Sequence, residues 1–210
     1  MHYFKEKLSM TQMNEAWRDV VTPQNVGRMM HVATDMQVKF CREMEGDFGT
    51  PETEVVTGTV ADVAQAFSQA SVPTCWVYFN HENVAPHDLY KMTPQPGDLP
   101  LRKAQESAIG YTPEHGIYRD LNDVLMSNMK DIVLISGVNF SRCVKETALG
   151  AVNDMRTVIV LEDATADGLD SAGDAISEHE AEDARMQLAN AGVFVVQSDE
   201  VLQALAPSMG

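Results

Sequence analysis

The sequence predicts a Rossmann-like α/β fold, a three-layer α/β/α sandwich around a mostly parallel six-stranded sheet. Short aliphatic runs, typical of strands buried on both faces, alternate along the chain with segments whose apolar residues recur at helical spacing. The clearest unit lies at residues 131–168, where strands at 132–135 and 157–161 flank a helix that begins near Ser141. Such a β-α-β unit places its two strands parallel in one sheet.

The remaining elements follow the same alternation. Further strands are predicted at residues 29–34, 75–79 and 193–196. Helices are predicted at residues 60–67 after a cap at Thr57 or Thr59, at 117–125, at 181–191 before Gly192, and at 201–205 after Ser198. Residues 92–100 are too rich in proline and glycine for a regular element. No glycine spacing matches a dinucleotide-binding loop or a phosphate-binding P-loop, so the fold class alone does not indicate a nucleotide ligand.

Residues 1–28 are predicted to form an N-terminal helical extension, separate from a domain that covers residues 29–210. The apolar residues of this extension share one helical face, and Pro23 is expected to stop the helix. The face consists of Met13, Trp17, Val20 and Val21. We expect it to pack on its own domain or on a neighbouring subunit.

The composition excludes several classes of partner. The chain of 210 residues carries a formal charge of −16, which would repel nucleic acid and anionic membranes. No apolar run is long enough to cross a bilayer, and the first residues lack the apolar core of a signal peptide. Three cysteines form no disulfide framework, so a cytoplasmic location is expected. Residues 162–183 hold nine acidic side chains and no Lys or Arg, and we interpret them as a solvated face.

Two reactive side chains are candidates for a site, and one of them, Asp35, lies just past the carboxyl end of a strand, where open α/β sheets keep their sites. Asp35 follows the first strand and is a candidate acid or base, although an isolated aspartate there is also typical of a turn. Cys143 lies in the first turn of a helix, where unpaired N–H groups and the helix dipole favour the thiolate. The alternative is that Cys143 is a small buried apolar residue, and position alone leaves both interpretations open.

Three separated motifs carry a resemblance to a known family. They are Asp35 in Asp-Met-Gln, Lys103 in Lys-x-x-x-Ser-Ala-Ile-x-x-Thr, and Cys143 in Gly-Val-x-x-x-x-Cys-Val-x-x-Thr-Ala. In this order and spacing they resemble the isochorismatase-like cysteine hydrolase superfamily, which includes nicotinamidases and carbamoylsarcosine amidases. The resemblance extends over residues 29–205.

The resemblance implies a role for each of these side chains. Cys143 would be the nucleophile, Asp35 the general base and acid, and Lys103 the cation that holds both. It also implies a cis peptide between Val138 and Asn139, with the N–H groups of Asn139 and Cys143 as an oxyanion hole. A nearby ammonium and a helix N-terminus both lower the pKa of a thiol, which agrees with a nucleophilic Cys143.

The chain departs from the family pattern at the pocket and at a possible zinc site. Ile109 replaces the usual aromatic residue after Ser-Ala, and Phe79 occupies a position where nicotinamidases place a zinc-binding aspartate. His81 and His87 alone would hold zinc poorly, since sites with an open position normally have three protein ligands. We therefore predict no metal cofactor, with the alternative that Asp88 or Glu82 supplies a third ligand. Substrate contacts are expected from the pocket walls, namely Phe40, His81, Ile109, Tyr111 and Phe140.

The predicted function is hydrolysis of a C–N bond in a small amide, ureido or carbamoyl compound through a Cys143 thioester. One alternative is a hydrolase of the same fold that acts on a non-amide small molecule. Another is a catalytically silent, oligomeric binding protein. We expect neither nucleic acid nor a membrane as partner, and we predict a homo-oligomer, a dimer or a tetramer, because the family assembles in this way.

Overall fold

A computed structural model describes residues 15–80, 88–110 and 120–206. Their strands form one six-stranded sheet in which every neighbouring pair is parallel. In chain order the strands are β1 (Met29–Thr34), β2 (Thr74–Phe79), β3 (Leu99–Lys103), β4 (Ile132–Val138), β5 (Thr157–Ala166) and β6 (Phe194–Val196). Their order across the sheet is β3-β2-β1-β4-β5-β6, which confirms the predicted Rossmann-like fold class.

Helices cover both faces of the sheet. They are α1 (Val38–Cys41), α2 (Pro51–Gln69), α3 (Leu121–Ser127), α4 (Lys145–Asn153), α5 (Glu178–Ala191) and α6 (Ser198–Leu205). Buried side chains of α2 and α6 belong to one hydrophobic cluster, and those of α3, α4 and α5 belong to a second cluster. The two clusters lie on opposite faces because successive strand residues point to opposite sides. The central strands β1 and β4 are buried along their whole length, as their unbroken aliphatic sequences predict.

The strand order reverses between β1 and β4, and this switch point is where parallel sheets form ligand crevices. Gly137 pairs with Thr34 there, at a register irregularity in β4. A Cβ atom at Gly137 would lie 2.1 Å from the Thr34 carbonyl oxygen, and the residue has a φ of 118°. Only glycine therefore allows the two strand ends to approach this closely.

Two predicted elements differ in the structure. Strand β3 begins at Leu99 and pairs with β2, although residues 92–100 were expected to be irregular. Pairing with β2 supplies the backbone hydrogen bonds that stabilise β3, although the local sequence does not favour a strand. Helix α2 begins nine residues before the predicted start at residue 60, because Thr50 and Thr53 form a capping box and Pro51 occupies the first turn. Thr57 consequently lies inside the helix, where its hydroxyl donates to the Thr53 carbonyl.

The described part of the N-terminal extension forms 3₁₀-helices at Ala16–Asp19 and Pro23–Arg28. Pro23 begins the second helix, since proline fits a first helical turn. Trp17 and Val21 are buried in the first hydrophobic cluster of the same chain, so these two side chains do not require a second subunit. Met13 lies outside the described residues, and the boundary between residues 28 and 29 stays a prediction.

Within the described ranges, none of the helices combines the length and apolar character that crossing a bilayer requires.

Candidate active site

Asp35, Lys103 and Cys143 come together at the carboxyl end of the sheet. The Lys103 Nζ atom lies 2.8 Å from Asp35 Oδ2, and both side chains are almost completely buried. The same ammonium donates to the Glu106 carbonyl oxygen at 2.7 Å. The Cys143 thiol is close enough to both charged groups to perturb their pKa values. Side chains that are 108 residues apart in sequence thus form one cluster, because the parallel strands β1, β3 and β4 all end at the same edge of the sheet.

Local backbone geometry aims each of these side chains into the crevice. Asp35 follows β1 with a φ of 56°, a left-handed conformation that aspartate tolerates better than most residues. Its N–H donates to the Val77 carbonyl oxygen of β2. Lys103 is the last residue of β3, and Cys143 lies in a π-helical turn, Phe140–Val144, between β4 and α4. Cys143 is therefore one turn before the α-helix and not inside it.

The Val138–Asn139 peptide bond is cis, as expected. The π-helical turn begins directly after it, and Val144 N–H donates to the Asn139 carbonyl oxygen at 3.0 Å. Such turns occur frequently at functional sites. We call residues 138–143, which carry the cis bond and the thiol, the nucleophile loop.

The acidic segment, residues 162–183, holds the nucleophile loop in place. Asp167 accepts two hydrogen bonds from Ser141, one from its N–H at 2.8 Å and one from its hydroxyl at 2.6 Å. The Gly168 N–H donates to Asn139 Oδ1 at 2.7 Å. A Cβ atom at Gly168 would lie 2.5 Å from the Phe48 carbonyl oxygen, so this approach also needs glycine. Part of the segment that we interpreted as a solvated face thus fixes the nucleophile loop by hydrogen bonds. We call such a pair of hydrogen bonds, from the N–H and the hydroxyl of one serine to one aspartate, a clamp.

The thiol of Cys143 is protonated in this arrangement. Burial and the neighbouring Asp35 carboxylate raise the pKa of Cys143 to about 12, although Lys103 opposes the shift. The expectation that the site favours a resting thiolate is therefore wrong, because desolvation and Asp35 outweigh the ammonium. Burial also raises the pKa of Asp35, against the effects of Lys103 and Cys143. Burial disfavours the Lys103 ammonium, yet attraction to its two acidic neighbours prevails and raises the pKa of Lys103.

Asp35 is equipped to accept a proton. Its Oδ2 atom binds Lys103, but its Oδ1 atom is buried without a hydrogen-bond partner among the described residues. Burying a carboxylate oxygen in this way is costly, so such atoms are commonly reserved for function. The site thus combines a protonated thiol, a carboxylate with an available oxygen and a permanent cation.

A cavity of about 180 Å³ opens over this cluster. Its apolar wall consists of Phe40, Phe48, Phe79, Val138 and Leu169. Its polar lining consists of Asp35, Glu106, Asn139, Arg142, Cys143, Asp170 and Ser171. Cys41 and Cys75 are fully buried and are absent from the described lining. Of the three cysteines, Cys143 is therefore the one that faces the cavity.

Of the five residues predicted to contact the substrate, one is found in the described cavity lining. Phe40 lines the cavity, whereas Ile109 and Phe140 are missing from its described lining. Both of these side chains belong to the second hydrophobic cluster, where Ile109 approaches Gly150 of α4 and Phe140 lies 5.4 Å from the Arg185 guanidinium. Both side chains are therefore packed in the core and are not part of the described cavity lining. His81 and Tyr111 lie outside the described residues.

Several lining residues were not anticipated as contacts, among them Phe48, Arg142 and Leu169. Phe48 and Leu169 lie in irregular loops, and a hydrogen bond from Leu169 N–H to the Phe48 carbonyl oxygen at 2.7 Å joins these loops. No periodic pattern marks such residues. Arg142 had a usable signal, since it directly precedes Cys143.

Metal binding finds no support in the described ranges, where no group of three or more His, Cys, Asp or Glu side chains could hold an ion. Phe79 lines the cavity at the end of β2, and its ring centroid lies 5.3 Å from Lys103 Nζ. An aromatic ring cannot ligate zinc in place of a carboxylate. His87, like His81, lies outside the described residues.

Together, these features define a parallel α/β protein with a small-molecule cavity at the switch point of its sheet. The chain belongs to the isochorismatase family of hydrolases, since the isochorismatase domain model matches residues 29–199. A comparison with curated protein sequences yields no match.

Solved structures share the fold at low sequence identity. A cysteine hydrolase from Pseudomonas syringae pv. phaseolicola 1448A is 22% identical, with a TM-score of 0.69 over 87% of this chain and 94% of that one. A nicotinamidase pyrazinamidase from Acinetobacter baumannii is 20% identical, with a TM-score of 0.64 over 83% and 98%. An N-carbamoylsarcosine amidase from Thermoplasma acidophilum is 23% identical, with a TM-score of 0.61 over 82% and 97%. At these identities the likeness establishes the fold alone.

Proposed function

We propose that the protein is a cysteine-dependent hydrolase that cleaves a C–N bond of a small amide, ureido or carbamoyl compound. The observation that carries the proposal is the buried Asp35–Lys103 ion pair beside a cavity-facing thiol. A purely structural cysteine needs no such neighbours. Three of the solved structures that share the fold are named a cysteine hydrolase, a nicotinamidase pyrazinamidase and an N-carbamoylsarcosine amidase, which supports C–N bond chemistry.

The first half of the reaction forms a thioester. Asp35 accepts the proton of the Cys143 thiol as Sγ attacks the carbonyl carbon of the substrate. Negative charge develops on the carbonyl oxygen, and the N–H groups of Asn139 and Cys143 are suited to stabilise it. Asp35 then gives its proton to the departing nitrogen, the C–N bond breaks, and ammonia or an amine leaves.

The second half of the reaction regenerates the enzyme. Asp35 takes a proton from water as the water oxygen attacks the thioester carbon. The C–S bond breaks, the acid product leaves, and the proton returns to the Cys143 sulfur. Lys103 keeps its positive charge throughout, and it stabilises Asp35 and the transient thiolate by attraction. The overall change is the addition of one water molecule across the C–N bond.

The test is ammonia release from a panel of small amides, ureido acids and carbamoyl compounds. We expect release by the wild-type protein and a loss of at least about 1000-fold in Cys143→Ala, since the nucleophile is absent. Cys75→Ala is the matched control, because Cys75 is a buried cysteine of β2 that is not among the described lining residues. Mass spectrometry of a rapidly quenched reaction should show the acyl group on Cys143.

Other outcomes would select the alternatives. Ammonia release that survives in Cys143→Ala would contradict the thioester route. Hydrolysis of an ester or vinyl ether with no action on any amide would favour the non-amide hydrolase. Binding of small ligands without turnover of any compound would favour the silent binding protein.

A further inference from the structure

Three phenylalanine rings form a continuous wall on one side of the cavity. The rings of Phe40 and Phe48 are nearly parallel, at 17°, with centroids 5.9 Å apart. Phe79 meets Phe40 edge to face, at 80° and 6.0 Å. All three residues line the cavity. A molecule whose reacting carbon lies at Cys143 therefore has aromatic surface beside it.

The backbone fixes the position of Phe79 within this wall. Its N–H donates to Gln37 Oε1 at 2.7 Å, and its carbonyl oxygen accepts from Gln37 Nε2 at 3.3 Å. Gln37 is itself fully buried. Phe79 is also paired in register with Lys103 across β2 and β3. This wall is consequently preformed and does not require a ligand to assemble it.

Two cations of the described residues near the wall, Arg142 and Lys39, already have carboxylate neighbours. Arg142 Nη2 lies 3.7 Å from a Glu180 carboxylate oxygen. The pKa of Asp170 is lowered mainly by hydrogen bonds from the N–H groups of Asp174 and Ala172, with a smaller contribution from the Arg142 charge. Lys39, whose Nζ atom is 5.1 Å from the Phe48 ring centroid, lies 3.5 Å from Asp47.

The lining contributes further negative charge to the cavity. Asp35, Glu106 and Asp170 all belong to it, and Lys103 is bound to Asp35. A carboxylate on the ligand would thus exchange water for apolar aromatic surface and for like charges.

We infer that Phe40, Phe48 and Phe79 form the subsite for the acyl group of the substrate, and that this subsite selects uncharged, apolar acyl groups over groups that carry a carboxylate. The inference rests on the proposed function for its chemistry, since it assumes that the acyl carbon is attacked by Cys143. It narrows the substrate class from small amide, ureido and carbamoyl compounds in general to those whose acyl group is uncharged.

A pair of substrates that differ by one charge tests the selection. Pentanamide and glutaramate present the same amide on chains of similar length, and only glutaramate carries a carboxylate. We expect kcat/KM for pentanamide to exceed that for glutaramate by at least about 100-fold, because Arg142, the cation in the described lining, already faces Glu180 and the other charged lining residues are carboxylates. Equal values, or a preference for glutaramate, would overturn the inference.

Substitutions at Phe48 test whether the phenylalanine wall causes the preference for an uncharged acyl group. Phe48→Lys should lower the ratio of kcat/KM for pentanamide to kcat/KM for glutaramate by about 10-fold or more. Phe48→Leu should retain the preference for pentanamide. Met44→Lys is the matched control, because it adds the same charge in the same loop at a side chain that is 54% exposed. A shift of equal size in Met44→Lys would mean that general electrostatics, and not the wall, sets the preference.

Binding to Cys143→Ala separates this inference from the proposed function. Ligand-observed NMR on this variant measures the affinities without any chemistry. Pentanamide binding at least about 10-fold tighter than glutaramate supports the subsite even if the wild-type protein hydrolyses neither compound, in which case only the proposed reaction fails. Equal binding, or no binding of either compound, would overturn the subsite while leaving the ammonia-release result to decide the reaction.

Discussion

At the scale of single residues, the candidate site depends on Asp35 and Cys143 sharing a buried environment. Burial and the Asp35 carboxylate together raise the pKa of the Cys143 thiol that Asp35 would later deprotonate, so this environment disfavours the thiolate. This arrangement restricts thiolate formation to the moment when a carbonyl carbon is in place. Because burial raises the pKa of Asp35, hydrolysis should be lost on acidification at a higher pH than for an ordinary aspartate.

Asp35→Asn should separate catalysis from thiol reactivity. We expect amide hydrolysis to fall by about 100-fold or more, because the variant lacks a group that can carry the proton. The pH at which iodoacetamide alkylates Cys143 should nevertheless move downward, since the substitution removes the negative charge that raises the thiol pKa and leaves Lys103 in place. Mass spectrometry of the alkylated protein across a pH series measures this shift.

Cys75 provides the internal control for that experiment, because it is fully buried and its pKa is raised mainly by burial and by Asp98. Its labelling should be the same in the wild type and in the variant. An alkylation midpoint for Cys143 that stays unchanged or rises in Asp35→Asn would show that Asp35 does not control the thiol.

At the scale of elements, the loop after β5 positions the loop after β4. Asp167 binds the backbone and hydroxyl of Ser141, two residues before Cys143 in the nucleophile loop. The same motif occurs a second time in the chain, where Asp163 accepts from the N–H and hydroxyl of Ser198 at 2.7 Å each. The second copy anchors the start of α6, away from the cavity. Two nearly identical clamps thus serve different elements.

The two clamps allow a matched comparison. Asp167→Ala should lower stability by about 1.5–3 kcal/mol, the range for a hydrogen bond to a charged group. It should also lower kcat/KM by about 10-fold or more, because the nucleophile loop loses its orientation. Asp163→Ala should destabilise the fold while leaving kcat/KM of the folded protein unchanged. Urea unfolding and initial rates at a temperature where both variants are folded measure the two effects. Equal losses of activity would contradict the positioning role of Asp167.

At the scale of the whole molecule, a neutral histidine connects three strands of the sheet. His31 of β1 is completely buried, with its ring nitrogens 3.1 Å from Thr74 Oγ1 of β2 and 2.7 Å from Ser136 Oγ of β4. Burial lowers the pKa of His31 to about 3. The unfolded chain has an ordinary histidine pKa of about 6.5, so acid favours unfolding.

The difference between the His31 pKa of the folded and the unfolded chain predicts that acid lowers the stability of the fold. As the pH falls from about 6.5 toward about 3, the unfolded state binds a proton at His31 that the folded state rejects, and stability decreases by up to about 1.4 kcal/mol per pH unit. Urea unfolding at pH 7.5, 6.0 and 5.0 measures the slope. His31→Gln should be less stable at pH 7.5 but should lose less stability on acidification than the wild type. Parallel slopes for the two proteins would rule out His31 as the source.

Much of the fold could be predicted because its signals are local. Residues that are close together in sequence encode the buried runs of β1 and β4. The same holds for the apolar stripe of α5 and its end at Gly192. Strand β3 was missed because Pro100 and its surroundings disfavour a regular element, and pairing with β2 overrides that preference. Phe48 and Asp167 were missed as parts of the site for a related reason, since their roles depend on loops that meet only in the folded chain.

The sequence by itself determined the fold class, the placement of Asp35 beyond a strand end, and, through its three motifs, the family. The tertiary structure alone decided which side chains form the cavity wall, which acidic residues act as clamps, and the direction in which the pKa of Cys143 is shifted. The physical reason is that periodicity and motifs are properties of adjacent residues. Desolvation and ion pairing depend on which groups the fold buries together, and in this protein burial beside Asp35 outweighs the effect of Lys103 on the thiol.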